Sequence, residues 1–385
     1  MSSSRFPGPK GHGVGSIRRL PLVPTSISDN PSRKAKRPSR SVFGLSFDEF
    51  ESLQAKALRR SIQYQDLFRR SPSPAVERWA KEHGLAVRSL REIAHERGRR
   101  AHKILFRLED GYAVESVLIR RHDGATACLS SQVGCAYSCR FCASGQAGLK
   151  RHLTAGEIVE QVVRWGPQVN RIVFMGIGEP LHNYDEVLRA IRILRDRRGL
   201  RFPTSGITIS TIGIPKALVR LREEHLAIQL TVSLHATTQE LRSQLIPGSR
   251  NHDIREVVER ALSWADRHRR VVTFVYLVLP GINDGPGDVA RLVDWFAGRR
   301  ARVNLMRWNP VEGVALPATS DLSLWRFKTA LLRAGIPVAV RDTQGRDIAA
   351  ACGQLWLREG AGEVVGKAPG QRRRGGVGSK RGPFS

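Results

Sequence analysis

The chain has 385 residues, 41% of them hydrophobic and 25% charged, enough for one large core with accessory segments. It has no apolar run of the roughly 18 residues a membrane-spanning helix needs. Its five cysteines, three of them in one short loop, exclude a secreted disulfide framework and fit a reducing compartment, the cytoplasm. Net charge is +28; residues 1–41 carry +8 and residues 367–385 carry +6, leaving +14 on the body, which implies a polyanionic partner with nucleic acid as the default.

In chain order, 1–45 reads as a disordered basic arm, rich in Ser, Arg, Pro and Gly and without the apolar segment of a secretory signal. Residues 46–102 read as a small helical accessory domain. Its apolar positions are Phe47, Phe50, Leu53, Leu58, Ile62 and Tyr64 to Phe68, then Val76, Trp79 and Leu85 after a Ser-Pro-Ser-Pro break. Residues 103–108 and 112–119 flank Glu109-Asp110-Gly111 and predict a β-hairpin. From there helix and strand alternate. Thr154-Ala155-Gly156-Glu157 is a capping box opening a helix through Val163. A strand over 171–175 and a helix over 184–197 follow, then a strand at 206–210 and a helix opened by Pro215. A strand over 226–234, a helix opened by a second capping box, Asp253-Ile254-Arg255-Glu256, and a strand over 271–279 come next. Helices near 287–297 and 321–334 alternate with strands at 302–306 and 336–341. Near-continuous apolar strands separated by helices indicate parallel strands covered by helices, and the count suits an α/β fold of the incomplete (βα)6-barrel type. A basic tail over 361–385 reads as disordered.

Chemistry concentrates at the ends of these strands. Cys135, Glu179, Ser210, His235, Asn283 and Asn309 all fall there, where αβ barrels carry their functional groups. Cys135, Cys139 and Cys142 lie in Gly134-Cys135-Ala136-Tyr137-Ser138-Cys139-Arg140-Phe141-Cys142. Three thiolates on one loop hold three corners of a [4Fe–4S] cube and leave the fourth iron open to a small molecule. A closed zinc site wants four ligands, and no fourth Cys or His follows at zinc-ribbon spacing. The Cys-x3-Cys-x2-Cys spacing resembles the radical S-adenosylmethionine (SAM) superfamily, in which the open iron chelates SAM and one electron cleaves it to a 5′-deoxyadenosyl radical.

Over roughly 103–355 the chain is similar to one family within that superfamily, the RlmN/Cfr family of radical SAM RNA (adenine) methyltransferases. The matching segments are Val114-Glu115-Ser116-Val117, Cys128-Leu129-Ser130-Ser131-Gln132-Val133-Gly134-Cys135, Phe174-Met175-Gly176-Ile177-Gly178-Glu179-Pro180, Ile209-Ser210-Thr211, Ser233-Leu234-His235, Trp308-Asn309-Pro310 and Ala350-Ala351-Cys352-Gly353-Gln354-Leu355. The resemblance implies a partial (βα)6 radical SAM barrel over 103–360. It implies one [4Fe–4S] cluster on Cys135, Cys139 and Cys142, and two SAM molecules per turnover. Gly178, Glu179, Ser210, Ser233, Leu234, His235 and Asn309 match positions that bind the polar groups of SAM. By the same resemblance Cys352 takes a methyl group from one SAM, the radical from a second removes hydrogen from that S-methyl group, and the carbon radical adds to C2 or C8 of an adenine. Glu115 matches the acceptor of the ring proton. Cys128 matches the thiol that attacks the sulfur of Cys352, releasing methylated RNA and leaving a transient disulfide that a reductant reopens. The implied substrate is 23S rRNA or tRNA, the implied electron donor a flavodoxin or ferredoxin, and the implied state a monomer. Ile177 stands where Met is usual. Residues 142–145, 209–214 and 279–284 lean towards the Cfr branch and Glu179-Pro180 towards RlmN, so C2 and C8 both stay open. The residues without the resemblance also allow a radical SAM enzyme with a non-RNA substrate, or a metal-containing RNA-binding protein that is no enzyme.

Overall fold

A computed structural model describes residues 38–55, 62–226, 228–341 and 343–355. Most of the arm over 1–45 and the whole tail over 361–385 lie outside these residues. The end of the arm does not: Val42 and Leu45 are fully buried, and Ser41 bridges to Ala86. Helix α1 (Phe47–Gln54) starts in a capping box in which Ser46 and Glu49 exchange side-chain bonds with each other's backbone N–H. Helix α2 (Pro74–Glu82) starts with Ser73 as cap and Pro74 in the first turn, where a missing N–H costs nothing. Between them Phe47, Phe50, Tyr64, Phe68 and Trp79 pack ring against ring, with centroids 5.1–6.4 Å apart. Arg189 joins this knot to the rest of the protein by donating to the carbonyl of Gly44.

The remainder of 46–102 departs from the helical expectation. Residues Leu90–Arg97 form strand β1, which pairs antiparallel with β2 (Ala101–Leu108). Leu-Arg-Glu-Ile-Ala-His-Glu-Arg is too charged to read as a strand, because β1 is the outer edge of the sheet and most of its side chains meet solvent. The hairpin of β2 with β3 (Ala113–Arg121) forms as expected, with Gly111 turning at φ +88°. Strand β4 (Gly124–Cys128) pairs antiparallel with β3 and parallel with the next barrel strand, and so couples the hairpin to the barrel.

After β4 come the short antiparallel strands β5 (Gln132–Gly134) and β6 (Leu149–His152), with the cysteine loop between them. Then α3 (Ala155–Trp165), β7 (Val169–Phe174), α4 (Tyr184–Arg195), β8 (Ile207–Thr211), α5 (Pro215–Glu223) and β9 (Gln229–Ser233) follow. Helices α6 (Gln239–Leu245) and α7 (Ile254–His268) lead to β10 (Val272–Leu277), α8 (Pro286–Phe296), β11 (Ala301–Met306), α9 (Asp321–Arg333) and β12 (Val338–Val340). Asp253 caps α7 through the Glu256 N–H, but Glu256 turns to Arg260 instead of completing the expected box. The sheet runs β1-β2-β3-β4-β7-β8-β9-β10-β11-β12, with every neighbour from β4 onward parallel. Strand β12 does not pair back to β4, so the barrel is open. Six strand–helix units precede β12, the first beginning at β4, which the sequence pattern did not single out. No helix among the described residues is long and apolar enough to cross a membrane.

Candidate active site

The C-terminal ends of β4 and β7 to β12 converge on one cavity. Its lining includes Cys135, Cys139 and Cys142 from the loop after β4, Gly178 and Glu179 after β7, Ser210 on β8, Ser233 and His235 at the end of β9, Asn309 after β11, and Cys352 from the C-terminal segment. Ten residues singled out by sequence therefore share one space. Four do not line it: Leu234, Cys128, Glu115 and Asn283. Leu234 turns into the core, its N–H donating to Val275 and its carbonyl accepting from Arg242, so no side-chain role in ligand binding is open to it. Cys128 lines a second cavity, with Val117, Ile119, Gln344 and again Cys352. Glu115 lies on β3, on the same strand face as Val117 and Ile119, 2% exposed and paired with Lys103 at 3.1 Å. Cys352, Met175, Met306 and Arg341 belong to the walls of both cavities.

The cysteine loop is held from several sides. Gly134 opens it at φ +75°, with the place of a Cβ only 1.8 Å from the carbonyl of Gly148, so no larger residue fits. Cys135 N–H donates to that same carbonyl at 3.0 Å. Arg140 N–H donates to Leu245 at the end of α6, and Gly248 N–H donates to Tyr137. Ala143 N–H donates to Gly353 at 2.7 Å and the Ser144 hydroxyl to Leu355 at 2.7 Å. The segment carrying Cys352 is thus tied to the loop that carries the other three thiols.

Burial pushes all three loop thiols up, Cys135 to about 12. A thiolate in this place needs a cation beside it, and coordinated iron supplies one. Among the described residues no three His, Cys, Asp or Glu side chains converge on a single metal ion. The corners of a cube are spread out, so cluster ligation does not ask the sulfurs to meet at one point. Arg242, fully buried on α6, adds a positive charge that interacts with Cys139 and Glu179. Its guanidinium donates to the carbonyls of Leu234 and Ile212, and its Nε has no hydrogen-bond partner. Burial lowers it to about 10, still a cation at neutral pH. A buried cation with a spare donor beside Cys139 suits an anionic cluster on this loop. The donor set fits the [4Fe–4S] group.

Gly178 lies at φ +104°, and a Cβ there would stand 2.5 Å from Cβ of Gln132, so glycine alone lets the β7 turn lie against the base of the cysteine loop. Glu179 accepts from the Thr211 hydroxyl at 2.6 Å, from Ile212 N–H at 2.8 Å and from Leu181 N–H at 2.9 Å. Burial pushes it up to about 7 against the pull of those bonds and of Arg242. His235 adopts φ +59°, a conformation non-glycine residues rarely take, and its Nδ1 accepts from Leu277 N–H at 3.0 Å. That donor fixes the proton on Nε2. Burial and Arg242 lower His235 to about 3, so it is a neutral donor across the physiological range. Asn309 donates to the Cys352 carbonyl at 3.0 Å and accepts from Arg346 at 2.9 Å. Asn283 has no place in the lining; buried, it braces the turn after β10 by donating to His235 and Leu277 and accepting from Leu279.

Sequence reasoning missed Arg242 and quoted Trp308 only as part of a matching segment, without a role; its buried indole N–H has no partner in the cavity wall. Arg242 had a signal: it sits three residues before Leu245 on a short helix, on the face where an apolar residue is expected. All five cysteines are free thiols, and the burial of Cys128 together with the nearby Cys352 raises Cys128 to about 12.

The Radical SAM superfamily model matches residues 129–293. A protein of Rhodopseudomonas palustris (strain BisB5) described as a probable RNA methyltransferase is 64% identical over 332 residues, 86% of this chain and 92% of that protein. A probable dual-specificity RNA methyltransferase RlmN of Symbiobacterium thermophilum is 38% identical over 354 residues, 86% of this chain and 95% of its own length. The crystal structure of a radical SAM methyltransferase from Sphaerobacter thermophilus superposes with a TM-score of 0.76 at 34% identity, covering 82% of this chain and 99% of that one. With this cavity and these relatives, the chain belongs to the RlmN/Cfr family of radical SAM RNA methyltransferases.

Proposed function

We propose that this methyltransferase transfers a methyl carbon to C2 or C8 of an adenosine in structured RNA, 23S rRNA or tRNA, through an S-methyl intermediate on Cys352. The observation that carries this reading is the position of Cys352 in the walls of two cavities, one holding the three loop cysteines and the other holding Cys128. The relatives' descriptions as RNA methyltransferases and the net charge of +28 support RNA as the substrate.

Cys135, Cys139 and Cys142 hold the cluster. When bound, cluster and SAM supply the methyl group and the one-electron chemistry that makes an unactivated C–H bond react. The chain's residues do the rest. Glu179 as carboxylate and the Nε2–H of His235 offer one anionic and one neutral partner to the ammonium and polar groups of SAM, with the Gly178 turn and the hydroxyls of Ser210 and Ser233 beside them. Cys352 carries the methyl carbon, its backbone pinned by Asn309 and, one residue on, by Ala143. Glu115 accepts the ring proton. Cys128 attacks the Cys352 sulfur; the S–S bond forms as the C–S bond to product breaks, and an external dithiol or electron donor restores both thiols. Unstacking the adenine costs least in a loop, so looped RNA is favoured.

The test uses Cys352→Ala and Cys128→Ala in the anaerobically reconstituted enzyme. Cys352→Ala abolishes transfer, while Cys128→Ala stops after bond formation and leaves RNA covalently joined to protein. Full RNA methylation by Cys352→Ala defeats the reading.

A further inference from the structure

Glu115 and Lys103 meet diagonally across the neighbouring strands β3 and β2, where Lys103 stands opposite Val117 and Glu115 opposite Leu105, with side chains 2% and 3% exposed. Lys103 Nζ lies 3.1 Å from Glu115 Oε1 and 3.5 Å from Glu96 Oε1. Glu96 stands directly opposite Lys103 on β1, the edge strand, with its side chain 42% exposed. Desolvating two charges costs more than their attraction commonly returns. Strands β2 and β3 are already joined by a continuous ladder from 101 to 107, so a staple there adds little. What the three groups do form is a line of exchangeable protons from the interior to water, with one 3.5 Å step at its outer end.

We propose that Lys103 and Glu96 are the outlet through which the proton collected by Glu115 leaves the protein. This rests on Glu115 being the acceptor of the adenine ring proton. Protonated Glu115 passes its proton to Lys103 as the Lys103 ammonium passes one to the Glu96 carboxylate, and Glu96 releases it to water. One proton moves outward, only N–H and O–H bonds change, no electron moves, and Lys103 ends as it began. The 3.5 Å step closes by rotation of the half-exposed Glu96 side chain. Lys103 and Glu96 touch no reacting atom; they are positioning residues that reset Glu115 for the next proton.

The test compares full-length, cluster-reconstituted wild type with Glu96→Gln, Lys103→Met and Glu115→Gln, given SAM and substrate RNA. Cys352 methylation is followed by mass spectrometry, the covalent protein–RNA adduct on denaturing gels, and the rate of adduct resolution in H2O and D2O. Glu96→Gln keeps the wild-type melting temperature, Cys352 methylation and first-turnover resolution, resolves the adduct at least about tenfold more slowly in later turnovers, and shows a larger D2O effect there. Glu96→Asp recovers part of the rate. Lys103→Met resolves more slowly still; because it removes one member of a buried pair and can lower stability, the exposed Glu96 variant carries the decision. Wild-type resolution by Glu96→Gln through repeated turnovers, with Glu115→Gln blocked, overturns the outlet and leaves the role of Glu115 standing. Normal resolution by Glu115→Gln overturns the acceptor role and the outlet with it.

Discussion

Asn309 shows how one side chain serves two neighbours. Its amide donates to Cys352 and its oxygen accepts from Arg346, so it sets where the methyl-carrying thiol stands. Asn309→Ala removes one hydrogen bond to the Cys352 carbonyl, worth about 1 kcal/mol. Cys352 methylation should slow by roughly fivefold to tenfold while the melting temperature moves little. Timed mass spectrometry of Cys352 checks this. Arg242 is the contrasting case. Removing it strips donors from the buried carbonyls of Leu234 and Ile212 and a cation from beside Cys139. Arg242→Met should cost on the order of 3–5 kcal/mol in stability, read by denaturant unfolding. It should also lower the iron retained after reconstitution, measured per chain. The three loop cysteines were legible because their spacing states their chemistry. Arg242 was not: the carbonyls it serves lie on other strands, and no local pattern marks them.

At the level of elements, α3 meets the start of β1 through Glu160. One carboxylate oxygen accepts from Ser89 N–H, the Ser89 hydroxyl and Leu90 N–H, while the other is buried without a partner. Burial pushes Glu160 up to about 7 against those bonds and the charge of Arg164. Its value in the unfolded chain is near 4.5, so between these values the folded state holds a proton that the unfolded state has released. Its contribution is complete below about 4.5 and is lost as pH rises to about 7, at a slope of at most about 1.4 kcal/mol per pH unit. Glu160→Gln keeps a neutral amide there and should gain stability over wild type at pH 8 but not at pH 4.5. Melting curves at the two pH values test this. Five of the six strand–helix units, those from β7 to β11, were visible because parallel barrel strands are buried on both faces and read as apolar runs. β1 escaped because an edge strand needs few apolar residues, and β5 and β6 because three- and four-residue strands leave no period to read.

For the whole molecule, the charge excess belongs to the body as well as to the termini. Binding that neutralises several phosphates releases counterions, so RNA affinity should fall roughly a thousandfold between about 50 and 200 mM salt. Filter binding over that range checks it; a salt-independent affinity would count against phosphate contacts. The barrel's open edge and the hairpin that joins it to β1 were only partly legible, because whether β12 closes on β4 depends on how the sheet twists and not on any one segment.

The most direct measurement follows a single methyl group. Reconstituted enzyme is loaded with isotopically labelled SAM in the absence of RNA, freed of excess SAM, and then given RNA with unlabelled SAM and reductant. Label should be found on Cys352 before RNA is added, and afterwards on an adenine ring carbon as it leaves Cys352. Labelled Cys352 that persists while the RNA acquires only unlabelled methyl groups would show that the thiol is not on the path.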